Sequence, residues 1–215
     1  MKPMMIYTVP RTRSSALLEA SRRSIQLREP FSRHLTVEQW PELHANLVNS
    51  DSCVKFFGSQ LIYQDYVRTW FNNAVETDSH DIFILMRDFR EVCYSYIVAF
   101  VYGWGKLNEL GPAKAATLVP AATYANFTTL HFEFGAFFDS LPKNGKVITF
   151  ESAPSSHFDL SQISLENQHS LQKLERFSNR DFIERRVQRL YELFGERWNT
   201  LMNGNVGERF IPPLC

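Results

Sequence analysis

Four short apolar runs, each bounded by polar or turn residues and separated from the next by helical pattern, constrain this chain more than any other feature. They are Met4 to Val9, Cys53 to Phe57, Asp81 to Met86 and Lys146 to Phe150, and each reads as a buried strand. The first runs into SSALLEASRRSIQL, a helix starting near Ser14. The third runs into DFREVCYSYIVAFV, a helix starting near Asp88, where Glu91 three residues on completes a capping-box spacing. Phe127, Leu130, Phe134, Phe137, Phe138 and Leu141 recur at helical intervals, Lys143-Asn144-Gly145 turns the chain into the fourth run, and a last amphipathic helix spans Asp181 to Met202. Strands that alternate with helices predict an α/β fold with a central parallel sheet flanked by helices, and ligands at the carboxyl ends of its strands.

With 215 residues, 44% of them hydrophobic, the chain can bury one sizeable core but is too short for two ordinary domains and a linker, so residues 1–215 read as a single domain. Lys plus Arg and Asp plus Glu balance at 23 each, so no global field draws the protein to nucleic acid or an anionic membrane, and any anion site must be local. Cys53, Cys93 and Cys215 lie far apart without the spacing of a zinc or redox motif, and no His, Cys or carboxylate cluster has metal spacing, so no metal is expected. No apolar run approaches the roughly 18 residues of a membrane span, and the start MKPMMIYTVPRT lacks a secretory pattern. These features predict a cytoplasmic protein with free thiols. Gly103 to Pro120 and Ser152 to Ser178 are irregular stretches, either of which can serve as a substrate lid.

The segment YTVPRTRSSALL reads as strand, polar turn and helix start, a geometry that aims unpaired backbone N–H groups and the positive helix end at one point. Arg11 and Arg13 add charge and Ser14 and Ser15 add hydroxyls, although a Ser14 cap beside solvated arginines explains the same residues. The turn contains neither the glycines nor the lysine of a nucleoside-triphosphate P-loop, which argues against ATP hydrolysis. Pro10, Arg11, Thr12, Arg13, Ser14 and Ser15 resemble instead the 5'-phosphosulfate loop of the sulfotransferases that use 3'-phosphoadenosine 5'-phosphosulfate (PAPS), written P-[KR]-[ST]-G-[ST]-[ST]. Arg13 stands where that family has glycine, the residue that reaches positive φ freely.

A second segment, IFILMRDFREVCYSYI, places Arg87 at the end of a strand and Ser95 about two turns into the following helix. Either residue alone is ordinary: an ion-pair partner and a helix serine. Together they resemble the R-D-x-R-[ED]-V-x-x-S segment in which the sulfotransferase Arg and Ser bind the 3'-phosphate of the nucleotide. The two motifs also occur in the family's order. The resemblance extends across the first hundred residues, and beyond Gly103 only the strand followed by Glu151 is similar; the family's C-terminal Arg-Lys-Gly clamp is not evident.

The resemblance implies a sulfotransferase or P-loop-like fold, PAPS as cosubstrate, and its desulfated product, adenosine 3',5'-bisphosphate (PAP). Arg11, Thr12, Arg13, Ser14, Ser15, Arg87 and Ser95 would hold the nucleotide and Arg11 would also stabilise the transferring group. The segment LREPFSRH supplies Glu29 as the expected general base with His34 behind it, and Lys55 ends a strand where family members often keep a lysine followed by a catalytic histidine that is missing here. Plainer roles are a solvated Glu29 before a proline turn and a Lys55 that snorkels from a strand edge. The acceptor implied is a small molecule or carbohydrate whose identity lies in loops without shared pattern, and the oligomeric state is not written in the sequence. Two other functions fit the same residues: a non-catalytic PAP-binding module and a small-molecule kinase on a related sheet.

Overall fold

A computed structural model of the chain describes residues 1–32, 35–102, 120–163 and 180–204. Its elements run β1 (Met4–Thr8), α1 (Ser14–Glu19), β2 (Ile25–Arg28), α2 (Trp40–Leu47), β3 (Ser52–Phe57), a 3-10 turn (Gly58–Leu61), α3 (Asp65–Glu76), β4 (Asp81–Leu85), α4 (Phe89–Tyr102), α5 (Pro120–Asp139), β5 (Lys146–Ile148) and α6 (Arg180–Met202). The five strands form one sheet in the order β2-β3-β1-β4-β5, and every pairing is parallel. The protein is thus an α/β structure with a central parallel sheet flanked by helices.

Side chains alternate across a strand, and β1 uses both directions. Met5, Tyr7 and Val9 point into a core shared with Phe71 of α3, Val92 of α4, Phe134 and Phe137 of α5 and Trp198 of α6. Met4 and Ile6 point the other way, into a smaller core with Leu17 and Leu18 of α1 and with Phe150 and Phe158, which follow β5. β1 is buried along its whole length, as a central parallel strand covered on both faces must be. The Phe-rich composition is spent mainly on the larger core, where Trp198 meets Phe134 and Phe137 at ring-centroid distances of 5.4 and 5.5 Å.

The structure corrects the sequence expectation at one edge of the sheet. SSALLEASRRSIQL is not one helix: α1 ends at Glu19, and Ile25–Arg28 becomes β2. Its four residues alternate between partly buried and exposed, the pattern of an edge strand, and the neighbouring Arg22, Arg23 and Arg28 mimic the polar face of a helix. The expected strands otherwise appear, each with ends shifted by at most two residues. Asp88 does cap α4, its carboxylate accepting the Glu91 N–H at 2.9 Å, but the reciprocal arm of the capping box is absent because Glu91 turns to Arg87. No helix among the described residues is long and apolar enough to cross a membrane.

His80, just before β4, is buried and fully satisfied in its neutral form. Its Nε2 lies 3.0 Å from the Leu47 carbonyl and so carries the proton, leaving Nδ1 to accept from Ser79 Oγ at 2.9 Å. Burial pushes its pKa down, against the smaller upward pull of the Leu47 carbonyl. The unfolded chain therefore binds the proton more readily. The contribution of His80 to stability is complete above about pH 6.5, the ordinary histidine value, and is lost as pH falls below it, with a slope of at most about 1.4 kcal/mol per pH unit. Urea denaturation at pH 7.5, 6.5 and 5.5 should show this slope in the wild type, and His80→Gln should flatten it.

Candidate functional site

Because all strands are parallel, the segments after β1, β3 and β4 leave the same end of the sheet, and the strand order sets β1 between the other two. Register fixes their level: Tyr7 pairs with Phe56 on one side and with Ile84 on the other. The turn Pro10–Arg13, the 3-10 turn Gly58–Leu61 and Arg87 consequently emerge together. This is the place where open parallel sheets hold their ligands.

A hydroxyl chain anchors the first turn. Thr8 Oγ1 donates to the Leu85 carbonyl at 2.8 Å and lies 2.5 Å from Thr12 Oγ1. Thr12 is fully buried, so its hydroxyl ties the turn to β1 and is not presented to a ligand. Arg11 and Arg13 both adopt left-handed backbone, at φ 75° and φ 68°. Such a conformation costs a residue with a side chain about 1–3 kcal/mol, so the turn keeps the shape that glycine would take at Arg13 without having glycine. The cap of α1 is Arg13 itself, with no side-chain hydrogen bond to the helix, and Ser14 is the buried first residue of the helix, not its cap.

Around this turn stand cations with different partners. Arg13 donates to Glu151 at 2.5 Å and lies over the Phe150 ring. Arg87 pairs with Glu91 at 2.8 Å, and its other terminal nitrogen reaches the Arg11 carbonyl at 3.4 Å. Lys55 is 2% exposed; its ammonium bonds Glu29 and donates to Ser15 Oγ at 3.0 Å, so it faces inward and does not snorkel. Glu29, at φ 50°, is a third left-handed residue of the site and is held by Lys55. Arg11 is the exception: its Nε donates to Ser95 Oγ at 3.1 Å, and among the described residues no carboxylate forms an ion pair with it. Burial, and then the charge of Arg87, push the Arg11 pKa down.

The structure thus brings together Arg11, Arg13, Ser14, Ser15, Lys55, Glu29, Arg87 and Ser95, with Thr12 beneath them as an anchor. Ser95 serves Arg11 and not Arg87, so Arg11 links the two motifs. His34 lies outside the described residues, as do 103–119 and 164–179 within the irregular stretches. Among the described residues no group of three or more His, Cys, Asp or Glu is placed to hold a metal ion. Sequence reasoning missed Glu91 as the partner of Arg87 and missed Glu133, the single carboxylate within FTTLHFEFGAFF. A lone acid in an apolar helical run was the available signal. No protein-family model, curated protein or solved structure matches this chain.

The Lys55–Glu29 pair is asymmetric, since Lys55 is enclosed whereas the Glu29 side chain is 31% exposed. Removing the lysine ammonium leaves a carboxylate that water can reach; removing the glutamate charge leaves an enclosed ammonium beside arginines with only neutral acceptors. Glu29→Gln should cost about 3 kcal/mol or more, and Lys55→Met, which keeps the side-chain volume, should cost less. Urea denaturation of both variants checks this, and equal losses would contradict the asymmetry.

Proposed function

We propose that this protein transfers a sulfuryl group from PAPS to an acceptor hydroxyl or amine, on a P-loop-like sulfotransferase variant of the parallel α/β sheet. The observation that carries the reading is Arg11: a desolvated guanidinium at the end of the central strand, beside a second arginine, without a carboxylate among the described residues. A cation held this way favours a bound anion strongly, because the protein has already removed its water without supplying the counter-charge. The resemblance of Pro10–Ser15 and of Arg87–Ser95 to the two phosphate motifs names the anion.

In this reading the backbone of the turn, Arg13, Ser14 and Ser15 surround the 5'-phosphosulfate, with Thr12 shaping the loop. Arg87 and Ser95 take the 3'-phosphate. Arg11 spans both ends of the nucleotide site and meets the charge that builds on the leaving oxygen. Sulfuryl transfer needs in-line geometry and stabilisation of that oxygen more than covalent help. Lys55 and Glu29 stand at the reacting end, where Lys55 adds charge and Glu29 keeps it aimed; His34 follows in the same segment. The acceptor is a small molecule or carbohydrate.

PAP should raise the melting temperature, because a ligand at a hundred times its dissociation constant adds about 2.7 kcal/mol. Labelled sulfate should pass from PAPS to a mixed acceptor panel while labelled phosphate does not pass from ATP. Binding of PAP without turnover would mark a nucleotide-binding module, and phosphate transfer would mark a kinase; either outcome defeats the proposal. Arg87→Ala should weaken PAP at least tenfold, since charged hydrogen bonds are worth about 1.5–3 kcal/mol. Ser95→Ala should weaken it less, and both should leave the 3'-dephospho analogue nearly unchanged. Calorimetry showing equal losses for both nucleotides would reduce these residues to a folding role. Arg11→Ala should lower turnover and nucleotide affinity together.

A further inference from the structure

One half-buried carboxylate at this end of the sheet is still without a role. Glu133 lies on the side of α5 that packs on the 3-10 turn after β3, a contact so close that a Cβ at Gly58 would sit 2.6 Å from the Ala136 carbonyl oxygen. One helical turn before Ala136, Glu133 faces the Ser59 hydroxyl. Its charge acts on Tyr96, the neighbour of Ser95 on α4, and on Tyr7 of β1, and the Glu29 carboxylate across the site acts on it. The Oε2 atom of Glu133 is buried without a hydrogen-bond partner among the described residues, whereas Glu29 has committed an oxygen to the Lys55 ammonium. Just outside, Phe132 and Tyr63 form an exposed aromatic pair with ring centroids 6.2 Å apart.

We propose that Glu133, and not Glu29, receives the proton of the acceptor hydroxyl, and that the acceptor enters over the 3-10 turn and α5 with its ring against Tyr63 and Phe132. This rests on the sulfuryl-transfer reading. The acceptor oxygen forms its bond to sulfur as the bond from sulfur to the bridging phosphate oxygen breaks; that electron pair leaves with PAP beside Arg11, and the acceptor proton moves to Glu133. An acceptor O–H is the donor that Oε2 lacks among the described residues. Burial first, and then the charge of Glu29, raise the Glu133 pKa, against the Ser59 hydroxyl, which lowers it. A carboxylate with a proton affinity nearer neutrality is the better base. The ring contact selects a sugar or a phenol, whose hydroxyl sits on a flat or apolar frame.

The test uses the whole chain, PAPS labelled in its sulfuryl group, and three acceptors that keep their proton at neutral pH: water, phenol and methyl glucoside. Glu133→Gln should keep its melting temperature and its PAP affinity within twofold, yet lose about 10²–10⁴ in transfer rate. The wild-type rate should climb with pH through a pKa above the ordinary glutamate value, because only the ionised carboxylate takes the proton, and Glu133→Gln should abolish that limb. Tyr63→Ala should raise KM for the two ring acceptors several-fold with kcat unchanged. If the wild type binds PAP but releases sulfate to none of the three acceptors, sulfuryl transfer itself falls and the base assignment with it. If the wild type transfers and Glu133→Gln retains half its rate while Glu29→Gln does not, only the Glu133 assignment falls.

Discussion

The backbone ladder of β1, bonded to β3 on one side and to β4 on the other, decides where the cations of this protein end up. Arg11 and Arg13 follow β1, Lys55 sits near the end of β3, and Arg87 follows β4. In sequence they are spread over much of the first half of the chain. In a sheet with a different strand order they would lie at separate edges, each able to reach water. The order β2-β3-β1-β4-β5 crowds them instead, and the hydroxyl tie from Thr8 to Leu85 and Thr12 keeps the first turn from swinging away.

Crowding of this kind has an energetic signature. Burial is the largest influence on Arg11, Lys55 and Arg87, and in each case it pushes the pKa down. Glu29 and Glu91 relieve Lys55 and Arg87, and Glu151 relieves Arg13. The same region holds three of the chain's non-glycine residues with left-handed backbone, Arg11, Arg13 and Glu29. Strain and uncompensated charge at one place are costs that packing elsewhere must offset, and the aromatic core on the α5 and α6 side, built around Trp198, is where the offset is largest.

Much of this was legible in the sequence because burial on both faces writes strands as apolar runs, and because the arginines sit directly after two of them. β2 was not legible: an exposed edge strand of four residues alternates Ile25, Gln26, Leu27 and Arg28, and after the arginines of SRRS that alternation continues a helical pattern equally well. The inward course of Lys55 could not be read either, since a lysine near a strand end has water within reach until a fold encloses it. Left-handed backbone at Arg13 runs against residue preference and shows only in coordinates. Glu133 failed for another reason: its partners Ser59, Tyr96 and Glu29 come from three other segments, and nothing local marks their meeting. The surroundings of Glu133 are written in tertiary contacts, the arginine-bearing turns in motifs.

One contact ties this end of the sheet to the final helix. Trp198 of α6 donates from its indole nitrogen to the Arg87 carbonyl at 2.9 Å while its ring fills the core beside Phe89. A chain growing from the ribosome exposes both arginine-bearing turns more than a hundred residues before that indole exists. Contacts this distant in sequence must repay a large loop-closure entropy before they contribute. β4 is already paired with β1 at that stage, so what the docking of α6 adds is the indole donor to the Arg87 carbonyl, which joins the last helix to the end of a sheet built from earlier residues.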